Sequence, residues 1–141
     1  MRIPSKNRPF SIADWRKRFQ QQADWTRSLR QYLLPRLGLK AGNRILEVGC
    51  GPGVILDEIK QQVSGAEPEF PPSNIPQLFG LDIRHDYLVY YARQNPAVPV
   101  GQGDAHSLPY GSCAFDLVIC HFLLLWVNDP VSVLREMRRV C

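Results

Sequence analysis

Arg44-Ile45-Leu46-Glu47-Val48-Gly49-Cys50-Gly51-Pro52-Gly53 decides the fold. Ile45, Leu46 and Val48 make a short apolar run of the kind that becomes a buried strand. Three glycines follow at alternate positions, and then Ile55, Leu56, Ile59 and Val63 recur at helical spacing. Strand, glycine turn and helix together make an anion- or nucleotide-binding arrangement. Glycine lets the backbone turn sharply and admits a ligand where a Cβ would stand. The helix behind it offers unpaired N–H groups. A dinucleotide fingerprint needs its third glycine at position 54, which is Val54, and no Gly-Lys-Ser/Thr of a P-loop is present. What remains is an acidic residue two before the first glycine of a G-x-G-x-G run. An ordinary strand-to-helix turn is the other reading of these ten residues alone.

Downstream, residues 64–76 hold four prolines and no apolar period, which reads as a surface loop. Leu78–Asp82 reads as a second strand ending in a carboxylate. Asp86 reads as the cap of a helix over Tyr87–Gln94, with Leu88 and Tyr91 facing in, and Asn95-Pro96 ends it. Val98-Pro99-Val100 reads as a short third strand, at a sheet edge because of its proline. Gly103–Tyr110 is turn-rich. Phe115–Cys120 reads as a fourth strand buried on both faces. Asp129 and Pro130 open a final helix whose inward face is Val133, Met137 and Val140.

Upstream, residues 1–10 read as a basic tail. Ser11 and Asp14 fit a capping box. Ile12, Trp15 and Phe19, then Trp25, Leu29 and Tyr32/Leu33, give one long helix or two with a break near Asp24; Pro35 and Gly38 close the unit. Its aromatic stripe reads as packing against the sheet. A sharper alternative makes Trp25 or Tyr32 a lid over a ligand pocket and sends Arg30 to a carboxylate. Residues 1–44 carry eleven Lys/Arg against two Asp, a net of +9, whereas 45–141 carry six against eleven, a net of −5. A basic segment of this kind suits a solvated helix face or an acidic partner such as nucleic acid.

The 141 residues suffice for one core. No apolar run reaches membrane-spanning length and no signal peptide is present, so a cytoplasmic location is expected. The four cysteines include no C-x-x-C pair, and no metal site or disulfide framework is expected. Alternating strands and helices imply an α/β class with a mostly parallel, Rossmann-like sheet. With the first strand central, the order is 3-2-1-4, and the ligand crevice lies at the C-terminal ends of strands 1 and 4. The organisation expected is an N-terminal basic tail and helical segment over residues 1–40 and a ligand-binding domain over 41–141. Asp82, beside the glycine turn, can accept both hydroxyls of a ribose, where each hydrogen bond to a charged group contributes ~1.5–3 kcal/mol. Asp104 can accept from an exocyclic amine while the Ala105 N–H donates to a ring nitrogen. A solvated strand-end Asp82 and a turn Asp104 are the plainer readings.

Four ordered stretches then carry a resemblance. Ile45–Gly53, Gly80–Asp82, Gly103–Tyr110 and Phe115–Cys120, the last with Asn128–Pro130 and Leu134–Val140, resemble motifs I to IV of the class I S-adenosylmethionine-dependent methyltransferases. They are similar to the branch that includes ubiquinone/menaquinone and many small-molecule methyltransferases, and the match covers about residues 41–140. The resemblance implies S-adenosylmethionine as cofactor and a small-molecule methyl acceptor. It places Glu47 and the Gly49–Cys50–Gly51 backbone against the methionine part, Asp82 on the ribose and Ile83 on the adenine face. Asp104 and Ala105 would read the adenine edge, and Cys120 would present backbone near the methionine amine.

Three departures follow. The branch often carries a His shortly before the Asp-Pro corner, where this chain has Leu123–Asn128; His121, directly after Cys120, is either a base at the crevice or a buried structural histidine. The stretch Val118–Val127 is almost wholly apolar, which suits a lipophilic or aromatic acceptor. The family continues past Val140 with further strands absent here, so the fourth strand is expected to be an open edge, with a homodimer through it and an inactive cofactor-binding fragment as the alternative to a working enzyme. A nucleic-acid methyltransferase is disfavoured because no Asn/Asp-Pro-Pro-Tyr/Phe motif follows the fourth strand. An arsenite methyltransferase has only Cys113 and Cys120 in its favour, and Val54 argues against a dehydrogenase.

Overall fold

In the computed structural model, which describes residues 9–64 and 75–141, four parallel strands lie in the order β3-β2-β1-β4. They are β1 (Arg44–Val48), β2 (Gln77–Asp82), β3 (Val100–Gln102) and β4 (Leu117–Ile119). β1 is central, with Glu47 opposite Gly80 on one side and Ile119 on the other. The helices are α1 (Ile12–Trp25), α2 (Arg27–Leu33), α3 (Val54–Ser64), α4 (His85–Gln94) and α5 (Pro130–Val140). Most of the Pro-rich loop and the first eight residues lie outside the described residues.

Successive residues of a strand point to opposite faces, and β1 feeds two cores accordingly. Ile45 packs with Ile55, Ile59, Leu88 and Tyr91 beneath α3 and α4, joined by Ala23 of α1. Leu46 and Val48 pack with Phe115, Val133 and Met137 beneath α5. Glu47 shares its face with Ile45, so the only buried charged residue described is driven into the α3 side of the sheet.

Several boundaries differ from the sequence reading, each for a local reason. The break in the N-terminal helices falls at Thr26, two residues past Asp24, near which the sequence reading puts it. β3 runs from Val100 to Gln102 instead of 98–100, because Pro99 has no N–H and contributes only its carbonyl, which accepts the Gly80 N–H at 3.0 Å. Asp86 does not cap α4; it sits in the first turn paired with Arg84, which occupies the N-cap position without a side-chain cap bond. β4 is only three residues long, and they are half-buried rather than covered on both faces, since among the described residues β1 is its only strand neighbour. The Ser11–Asp14 capping box and the Asp129/Pro130 start of α5 are as read from the sequence.

Candidate functional site

The glycine turn is built at the C-terminal end of β1. Gly49, Gly51 and Gly53 all have left-handed backbone, at φ +74°, +52° and +82°. Positive φ favours glycine at each, and space demands it at two. A Cβ on Gly49 would stand 2.8 Å from Leu123 Cδ1, so the loop after β4 packs directly on the turn. A Cβ on Gly53 would stand only 1.9 Å from Tyr91 Cδ2.

Asp82 ties this turn to β2. Its Oδ2 accepts the Gly51 N–H at 2.7 Å and its Oδ1 accepts the Arg84 N–H at 2.9 Å. A carboxylate has about four acceptor positions, so one lone pair on each oxygen is left for paired hydroxyls. The strand-end aspartate is therefore also a fastener, which sequence reasoning did not foresee.

Glu47 is buried, and its Oε2 has no hydrogen-bond partner among the described residues. Burial first, and the nearby Asp82 carboxylate second, hold its carboxyl well above the ordinary range, against the opposing pull of Arg30 and the Leu56 N–H. An unpaired buried carboxylate oxygen is costly, and a cationic ligand group reaching it would remove that cost. Cys50 lies in the same turn, buried, with its thiol pushed well up by burial and by the Glu47 and Asp82 charges, so it is no nucleophile.

Helix α1 roofs the turn. Arg16 donates to the Pro52 carbonyl and pairs with Asp57 at the start of α3. Arg30 of α2 grips Glu58 with two bonds, at 2.9 and 2.7 Å, from a site where both side chains are largely buried. The basic charge counted at the N-terminus is thus partly spent inside the fold. Arg30 does reach a carboxylate, but the carboxylate belongs to α3. Trp25 and Tyr32 are exposed, and neither lines the cavity. The aromatic cover comes instead from Trp15 and Phe19, whose ring meets Tyr87 edge-on.

Between these parts lies a cavity of about 410 Å³. Glu47, Gly49, Cys50, Gly51, Asp82 and Ile83 line it together, with His121. Phe122, Leu123 and Trp126 supply an apolar wall from the loop after β4. Of the other residues singled out in the sequence, Asp104 is exposed and turns its carboxylate to its own loop, 2.7 Å from His106 Nδ1 and 2.9 Å from the His106 N–H. Those two bonds hold its carboxyl below the usual range. Ala105 is buried in the α5-side core, and Cys120 is packed against that core; none of the three lines the cavity. Gln22, Arg84 and Tyr87 do line it and were not singled out. Tyr87 carried a signal, since it lies four positions before the inward-facing Tyr91 and so shares its side of the helix. Among the described residues no group of three metal-ligating side chains occurs, and no helix is long and apolar enough to cross a membrane.

A family model described as "Methyltransferase domain" matches residues 46–141. The chain belongs to the class I S-adenosylmethionine-dependent methyltransferases. It is 32% identical over 120 residues to an uncharacterized 37.1 kDa protein in transposon TN4556 of Streptomyces fradiae, covering 83% of this chain and 32% of the relative. It is 29% identical over 109 residues to the ubiquinone biosynthesis O-methyltransferase of Escherichia coli, covering 74% of this chain and 40% of the relative. The chain therefore spans only about a third to two-fifths of the length of these relatives. A solved S-adenosyl-L-methionine-dependent methyltransferase of Methanococcus maripaludis, described by its depositors as putative, shares the fold at TM-score 0.67 and 16% identity, over 98% of this chain and 62% of that one.

The residues of this methyltransferase domain fit the family's cofactor. The glycine turn leaves room that a Cβ would occupy, the orphaned Glu47 oxygen suits an ammonium, and Asp82 has acceptor capacity to spare. The buried Glu47 also has a pH signature. Its native carboxyl binds a proton more tightly than the unfolded one, so folding gains stability from it at low pH and loses that gain as pH rises above about 4.5 toward the raised native value. Glu47→Gln should flatten the decline in thermal stability between mildly acidic and mildly alkaline pH. Melting curves of both proteins across that range check this; parallel declines would show that Glu47 is not the group responsible.

Proposed function

We propose that this domain binds S-adenosylmethionine in the glycine-turn cavity and serves transfer of its methyl group to a small apolar or aromatic acceptor. The observation that carries the reading is the convergence of Glu47, the left-handed Gly49 and Gly51, and Asp82 on one cavity with an aromatic wall. The cofactor supplies an electrophilic methyl group on a sulfonium. The chain supplies alignment, in which a well-placed pair of reactants gains most of its advantage. Glu47 meets the ammonium of the methionine part with its unpaired Oε2. Gly49 and Gly51 let that part lie against bare backbone. Asp82 accepts the two ribose hydroxyls through its free lone pairs while holding the turn closed through the Gly51 N–H. Ile83, well exposed at the cavity edge, offers an apolar face to the adenine. Asp104 and Ala105 stay in this reading as adenine contacts, reached from the neighbouring loop, and Cys120 contributes backbone beside His121. Trp15 and Phe19 enclose the acceptor and exclude water, with the exposed Trp126 at the cavity rim.

The acceptor class is supported by the apolar wall and by the likeness to a ubiquinone biosynthesis O-methyltransferase. β4 is an edge strand among the described residues, and Leu125 and Trp126 beyond it are exposed; pairing with a second copy along that edge is part of the proposal. Asp82→Ala should weaken binding of S-adenosylhomocysteine by ~1.5–3 kcal/mol, roughly tenfold to a hundredfold. Calorimetric titration of both proteins measures it, and an unchanged affinity would move the ribose site elsewhere.

A further inference from the structure

His121 is wired to the N-terminal helices by a chain of hydrogen bonds whose direction can be worked out. Its Nε2 lies 2.8 Å from Thr26 Oγ1. Thr26 Oγ1 also accepts from Arg30 Nη1 at 2.6 Å. A hydroxyl has one proton to give and two lone pairs, so the question is where that proton goes. Among the described residues the only other acceptor within reach is the Ala23 carbonyl, at 3.4 Å, which is long for an O–H···O bond. That carbonyl already accepts Arg30 Nη2 at 2.6 Å and the Thr26 N–H at 3.2 Å. Both of its lone pairs are taken by better-placed donors. The Thr26 proton therefore points to His121 Nε2, and the sequence of donation runs from Arg30 through Thr26 to the imidazole.

An imidazole that accepts at Nε2 carries its proton on Nδ1. His121 Nδ1 has no partner among the described residues, and the ring lines the cavity. Burial first and the Arg30 charge second hold the imidazole below its ordinary value, with Glu58 pulling the other way. With Nε2 accepting from Thr26 and the charged form disfavoured, Nδ1–H is the donor this cavity-lining ring has left to offer.

We propose that His121 is a recognition residue that donates its Nδ1–H to a carboxylate of a ligand in this cavity. The proposal rests on the reading of the cavity as a cofactor and acceptor site. The carboxylate can come from the amino-acid end of the cofactor or from an acceptor in the aromatic chamber. A charge-assisted bond of this kind is among the stronger ones, and the Arg30–Thr26 chain strengthens it by polarising the imidazole.

The test uses the 141-residue chain with its three histidines (His85, His106 and His121). Long-range proton–nitrogen correlation spectra at neutral pH read each tautomer, and His121→Phe assigns the signal. A neutral Nδ1–H form for His121 is expected, and Thr26→Val should erode that preference. A neutral Nε2–H form or an imidazolium would overturn the proposal. S-Adenosylhomocysteine, methylthioadenosine, and methylthioadenosine with benzoate are then titrated in turn. A downfield shift of the His121 Nδ1–H with S-adenosylhomocysteine places the carboxylate on the cofactor. A shift only when benzoate is added places it on the acceptor. No shift with any of the three overturns the proposal. His121→Phe should weaken the carboxylate-bearing probe that gave the shift by roughly tenfold and leave methylthioadenosine unchanged, and His121→Asn, whose amide sits where Nδ1 was, should restore it. If neither adenosine compound binds at all, the reading of the cavity fails while the tautomer result still stands or falls alone.

Discussion

Gly53→Ala is expected to strip this chain of much of its folding stability. Gly53 holds φ +82°, and a left-handed non-glycine residue costs ~1–2 kcal/mol. The larger penalty is steric, because the new methyl would stand 1.9 Å from Tyr91 Cδ2. Tyr91 is 1% exposed and belongs to the core beneath α3 and α4, so the ring has nowhere to move without dislodging Ile55, Ile59 and Leu88. Overpacking of this kind costs ~1–3 kcal/mol or more. Against a total stability of about 5–15 kcal/mol, the sum removes much of what holds the domain together. The control is Gly42→Ala. Gly42 has φ +79° but nothing within 4 Å of the added methyl, so it carries the backbone strain without the collision. Urea unfolding should show a modest loss for Gly42→Ala and a several-fold larger loss for Gly53→Ala. Equal losses would mean that the Tyr91 contact is not what requires glycine there.

The second large effect is at Arg30. Its guanidinium makes two bonds to Glu58, one to Thr26 and one to the Ala23 carbonyl, with side-chain exposure of 13% for Arg30 and 11% for Glu58. Arg30→Ala leaves Glu58 desolvated and unpaired. Removing one partner of a buried pair costs ~3–5 kcal/mol, which for a chain of this size lowers the melting temperature by on the order of 10 °C. Removing both charges is milder, because nothing is then stranded. The expected order of stability by thermal melting is wild type, then Arg30→Met/Glu58→Met close to it, then Arg30→Ala. If Arg30→Ala melts with wild type, the N-terminal helices are not anchored through this pair.

The order of the sheet was legible because its signals are local. Ile45–Val48, the alternating glycines and the apolar run at Leu117–Ile119 each specify an element without reference to the rest. The six cavity residues that the sequence pointed to on β1, the glycine turn and the end of β2 are brought together for the same reason, since strand ends in a parallel sheet share one edge. What was not legible depends on packing between distant elements. Trp15 and Trp25 look alike on the amphipathic pattern, yet only Trp15 reaches the cavity, because Arg16 pins its turn of α1 to Pro52 and Asp57. The second use of Asp82, on the Gly51 N–H, spans 31 positions and leaves no mark in the sequence. The half-burial of β4 reflects which strands flank it, a property of the sheet and not of Leu117–Ile119 themselves. The direction of donation at His121 rests on the Ala23 carbonyl being already taken, which no spacing could reveal.

Calorimetric titration of the folded chain with S-adenosylhomocysteine and, separately, with NAD tests the central claim most directly. The account predicts saturable binding of S-adenosylhomocysteine, weakened by Asp82→Ala and by Glu47→Gln, and no saturable heat with NAD. Saturable NAD binding with no response to S-adenosylhomocysteine would contradict it.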